Sequence, residues 1–176
     1  MDDTFSSILI NKLKQLVPLI CTILLILLAG VPLRLPFLKF LRADIGMICI
    51  YFWSLYRRDL LGPVSVAIIG FVVDSLGAVP LGVNMFIFIL VYVLAITYGS
   101  FVNTKPFIVS WLGFAAISVI GFFTKWLLMS VYYSNFLLFA GIFAGLLSTI
   151  LLYPLIARLN VFIQNKFLAN EEVIYE

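Results

Sequence analysis

Histidine is missing from all 176 residues, and cysteine occurs twice. The first absence removes every His-based catalytic triad and the commonest metal ligand. Cys21 and Cys49 both fall inside apolar runs, so they read as buried thiols acting as small hydrophobes rather than as a disulfide or a metal site. Charge is scarce as well: 11% of residues are charged, under half the ~25% of soluble domains. The net charge of +3 is scattered and forms no basic stripe that would track nucleic acid. There is no Gly-rich phosphate loop, no GxSxG, no CxxC and no pair of carboxylates within an apolar run. An enzyme reading has almost nothing to stand on, and no cofactor is expected.

What is present is apolar. Hydrophobic residues make up 64% of the chain against ~45–50% in soluble domains, more than one core of this size can hide. The solvent must be lipid. The expectation is a single all-α polytopic transmembrane domain over 1–176, with six transmembrane helices at about 13–33, 43–56, 60–76, 83–102, 107–132 and 136–159 and a cytoplasmic tail at 160–176. Val161 to Leu168 reads as a short surface helix, and Leu35 to Arg42 as an interfacial segment whose cations snorkel to the headgroups.

The second span is short: 14 residues at ~1.5 Å each fall well below a ~30 Å hydrocarbon core. Asp44 is placed to cap its N-terminus, and Tyr51, Trp53 and Tyr56 gather toward its far end as interfacial aromatics would. The chain opens Met1-Asp2-Asp3 with no small-residue cleavage site after the first apolar run, so that run is expected to stay as a span. Lys12, Lys14, Arg57, Arg58, Lys105, Arg158 and Lys166 fall on one side, and Arg34, Lys39 and Arg42 on the other. By the positive-inside rule both termini are cytoplasmic.

Asp74 is the one acidic residue embedded in a continuous hydrophobic stretch, where an Asp costs roughly 2.5–3.5 kcal/mol to insert at a helix centre. Gly62, Val66, Gly70 and Asp74 recur every four residues, and Gly113, Ile117, Gly121 and Lys125 do the same, so both ionisable groups should face inward. Both also sit in the outer half of the bundle. Asp74 and Lys125 are therefore expected to pair or to share an outer-facing polar pocket; a proton or ion pathway, capping of the following loop and contact with a partner remain the alternatives. Gly141 and Gly145, with Ala140, Ala144 and Ser148, form a small-residue ridge that suits either packing within the bundle or a face for another membrane protein.

The stretch from Asp44 to Gly82 resembles the signature of the MreD family of bacterial rod shape-determining membrane proteins. Its elements are Ile50-Tyr51-Phe52-Trp53, the charged turn Leu55-Tyr56-Arg57-Arg58-Asp59, Pro63, Gly70-Phe71-Val72-Val73-Asp74, and the loop Gly77-Ala78-Val79-Pro80-Leu81-Gly82. Ala43 and Arg58 stand where the family often has Pro, and Phe71 replaces its usual Leu. The resemblance implies a non-catalytic scaffold of the lateral cell-wall elongation machinery in the bacterial inner membrane. It implies MreC as direct partner, with the actin-like MreB, the RodA glycosyltransferase and a class B penicillin-binding transpeptidase in the same complex. It also implies a fold like the substrate-binding subunit of energy-coupling-factor transporters. That last likeness keeps a second reading open, a small-molecule-binding subunit of a transporter, for which Asp74, Asn84 and Lys125 are the available polar groups.

Overall fold

In a computed structural model the described residues are 2–30, 43–77, 79–102, 106–134 and 139–168. Side chains are described for 16–30, 43–77, 79–99, 106–134 and 141–166. They form six α-helices: α1 (Asp2–Gly30), α2 (Ile45–Tyr56), α3 (Pro63–Leu76), α4 (Val83–Val102), α5 (Phe107–Tyr133) and α6 (Phe139–Leu168). The segment 35–42, the turns at 103–105 and 135–138 and the tail 169–176 lie outside the described residues.

The shortest helix is the centre of the molecule. α2 packs against each of the other five, and ten of its twelve residues, Gly46 to Leu55, are buried. A helix that is apolar on every side has no face to offer water and belongs inside. Its length of about 18 Å is short of a bilayer core, but its surroundings are protein, so it need not match lipid thickness. This corrects the expectation for its aromatics. Tyr51 and Trp53 are 1% and 0% exposed and form the core, not an interfacial belt. Tyr51 meets the ring of Phe114 at 5.2 Å, and Phe114 stacks on Tyr153 at 4.5 Å.

The helix ends follow their sequence signals. Asp44 caps α2 by accepting the Met47 N–H at 3.1 Å. Pro63 opens α3 where its missing N–H costs nothing, so Leu60 and Leu61, expected within the span, precede the helix and are buried. α5 closes on Ser134 in the left-handed conformation, φ +50°.

Two further boundaries differ from expectation. α1 starts at Asp2, because no Pro or Gly interrupts 2–12. α6 continues through Pro154 to Leu168 instead of giving way to a separate surface helix. Asn160, at the expected break, is buried, with its amide 3.7 Å from Cys49 Sγ, and so ties the helix to the bundle.

Outward faces are apolar. Leu112, Val119, Phe123 and Leu127 of α5 and Leu147, Leu151 and Leu155 of α6 stand exposed, while Asp74, Asn84, Ser110, Ser118 and Thr149 are buried. Among the described residues, Phe107–Tyr133 and Gly141–Lys166 are long and apolar enough to cross a membrane.

Candidate functional site

Several of the buried polar groups, Asp74 and Asn84 first, meet at the end of the bundle where α3 turns into α4. Asp74 lies in the last turn of α3, 2% exposed, on the stripe that the four-residue spacing indicated. Gly70, one turn earlier, makes this approach possible: a Cβ there would collide with the backbone of Met85 on α4. Close contact brings the Asp74 carboxylate onto the open N-terminus of α4. Oδ2 accepts the N–H of Gly82 at 2.8 Å and of Met85 at 3.3 Å, and Oδ1 accepts the N–H of Asn84 at 3.0 Å. Helix N-termini carry unsatisfied donors and partial positive charge, so a carboxylate is stabilised there. Gly82 supplies the bend with φ +99°, a conformation that other residues adopt only with strain.

From Asp74 the polar contacts continue sideways. Asn84 Nδ2 donates to Asp74 Oδ1 at 2.9 Å, and its Oδ1 accepts from Lys125 Nζ of α5 at 2.8 Å. Lys125 also reaches Asp44 Oδ2 at 3.4 Å. The Asp44 N–H then donates to Thr149 Oγ1 of α6 at 2.9 Å, and Thr149 donates to the Gly145 carbonyl at 2.7 Å. One line of hydrogen bonds thus joins α3, α4, α5, the start of α2, and α6. Asp74 and Lys125 do not touch: Asn84 stands between them, and Asp44 is the carboxylate beside the ammonium. An open cavity of about 300 Å³ borders Asp44 and Lys125, with Ile26, Gly46, Val73 and Phe122 also in its wall.

The remaining singled-out residues fall elsewhere. Arg57 forms a two-pronged pair with Asp59, both bonds 3.2 Å, at the opposite end of the bundle. Gly77 ends α3 by donating its N–H to the Val73 carbonyl, and the Pro80 carbonyl accepts from Val83. Gly145 is buried, whereas Gly141 is exposed with nothing within 4 Å of the position a Cβ would take. Trp53 Nε1 is buried with no partner among the described residues. Sequence reasoning missed a second polar cluster. Tyr51 donates to the Ser110 carbonyl at 3.0 Å, and the Ser110 and Tyr153 hydroxyls lie 3.0 Å apart. The all-round apolarity of 45–56 was the signal that Tyr51 had to be buried. Among the described residues, no three His, Cys, Asp or Glu side chains gather as a metal site requires.

An apolar exterior around an interior whose charged groups tie helix to helix defines an all-α protein of the membrane-embedded kind. Its family follows from comparison: a family model, rod shape-determining protein MreD, matches residues 9–163. The chain belongs to the MreD family, whose role is rod shape determination. No curated protein and no solved structure matches it.

Proposed function

We propose that this chain is a non-catalytic, multi-pass scaffold of the bacterial inner membrane that binds MreC and couples MreB to the RodA glycosyltransferase and a class B penicillin-binding transpeptidase. All six helices cross the bilayer in this reading, with α2 sheathed by the others and both termini cytoplasmic. The Arg57–Arg58 turn is then inside and the Gly77–Gly82 loop outside, as the cation count favours.

The observation that carries the reading is the Asp74–Asn84–Lys125–Asp44 line within a chain matched to the family over residues 9–163. Asp74 faces backbone donors of α4, and Lys125 faces Asn84 and Asp44, so these groups serve cohesion of the bundle. A transporter subunit needs polar groups converging on a ligand; Asp74 and Asn84 converge on each other instead. Purification of the tagged chain in mild detergent, with MreC identified among the proteins that accompany it, tests the proposal. Cysteine labelling from either side of the membrane at both termini tests the six crossings. Absence of MreC, or termini on opposite sides, would contradict it.

A further inference from the structure

Between α4 and α5, at the end away from Asp74, lies a cleft of about 450 Å³ that no part of the described chain fills. Its walls are almost wholly apolar: Leu94, Ala95, Val109, Ala116 and Ile117 among them. It opens sideways past Leu112 and Ile120, both exposed, so its mouth faces where lipid would lie. Along α5 it runs from Val109 to Ile120, roughly 16 Å at 1.5 Å per residue. That matches half of a ~30 Å hydrocarbon core, the depth of one leaflet. A partner helix crossing both leaflets would be about twice its length.

Beside the Gly99 end of the cleft lies a cation. Gly99 lines the cleft, and a Cβ on Gly99 would run into the guanidinium of Arg58, so that group lies against the Gly99 end of the cleft. Its neighbour Arg57 is paired with Asp59, but Arg58 is exposed and has no carboxylate partner among the described residues. Tyr98, 59% exposed, presents its ring at the same end. An apolar slot one leaflet deep that ends at an unpaired arginine complements a single amphiphile with a negative head. We propose that the α4–α5 cleft holds one acyl chain of an anionic phospholipid whose phosphate sits on Arg58. Basic pockets between transmembrane helices take anionic headgroups in this way. The inference needs the membrane setting but not the MreC assignment.

Native mass spectrometry of the full chain tests it, in detergent containing equal phosphatidylglycerol and phosphatidylcholine. Phosphatidylglycerol should be retained at one per chain and preferred about fivefold. Arg58→Gln should abolish that preference while phosphatidylcholine retention is unchanged. Ala116→Trp, which fills the slot, should reduce retention of both lipids, and Ile120→Trp replaces it if the first variant does not fold. Lys166→Gln, which removes an exposed cation on α6, should behave as wild type. Wild-type preference in Arg58→Gln, wild-type retention in the filled-slot variant, or full displacement by excess inorganic phosphate would overturn the proposal. So would a co-purifying protein that the filled-slot variant displaces while lipid stays.

Discussion

Lys125 of α5 places its ammonium 3.4 Å from the carboxylate of Asp44, a residue 81 positions earlier whose other oxygen caps α2. The same ammonium holds Asn84 at 2.8 Å, and Asn84 holds Asp74. The two embedded charges singled out on glycine stripes are thus linked at one remove. Exchanging them by Asp74→Lys with Lys125→Asp should give no rescue over either single change. A lysine has no acceptor for the N–H groups of Gly82, Asn84 and Met85, whatever its charge partner. Thermal unfolding in detergent of the four chains checks this, and recovery in the double variant would contradict it.

If Asn84 is the link, coupling between Asp74 and Lys125 should depend on it. A double-mutant cycle with Asp74→Asn and Lys125→Met is expected to give about 0.5–1 kcal/mol in the wild-type background. In an Asn84→Ala background the value should fall to about zero within the ~0.3 kcal/mol scatter of independent sites. The Asp44–Lys125 cycle should keep its coupling in both backgrounds.

Asp74→Ala leaves the buried N–H of Asn84 and the part-buried N–H groups of Gly82 and Met85 without their acceptor. Burial without partners costs several tenths to a few kcal/mol per group, so a loss of about 3 kcal/mol is expected. Asp74→Asn retains one acceptor oxygen and should lose about half as much. Denaturation of the purified variants gives both values, and equal losses would argue against the capping role.

Glycine substitutions should separate by position. Gly70→Ala forces a methyl into the Met85 backbone and should cost about 1–3 kcal/mol, the range of overpacking. Gly62→Ala and Gly141→Ala meet open space and should stay within about 0.5 kcal/mol of wild type. At Gly82 the cost is conformational. Nothing lies within 4 Å of its Cβ position, so Gly82→Leu should lose about as much as Gly82→Ala, roughly 1–2 kcal/mol. A much larger loss for Leu would mean that crowding matters there.

Much of this architecture is readable in the sequence. Apolar runs broken by Arg57-Arg58-Asp59 and by the Gly77-to-Gly82 stretch mark where α2 and α3 stop, and the four-residue recurrence of Val66, Gly70 and Asp74 marks the face that turns inward. Distance along a helix gives depth, which is why Asp74 and Lys125 were legible as neighbours in height. It gives no direction around the bundle axis, so which carboxylate Lys125 meets was not legible. That choice depends on α2 sitting at the centre, where it carries Asp44 to the α5 face. The burial of Tyr51 and Trp53 has the same origin. Aromatics near a helix end suit an interface, but a helix surrounded by five others has no interface to reach.

The central claim is that the Asp74–Asn84–Lys125–Asp44 line holds the helices in the arrangement through which the chain engages its partner. The most direct test is retention of MreC on the tagged chain across Asp74→Asn, Asn84→Ala, Lys125→Met and Asp74→Ala, each compared with its own unfolding temperature. MreC retention should fall in the order of lost stability, with Asp74→Ala the lowest. Full MreC retention and normal rod shape in Asp74→Ala, despite a destabilised bundle, would contradict the account.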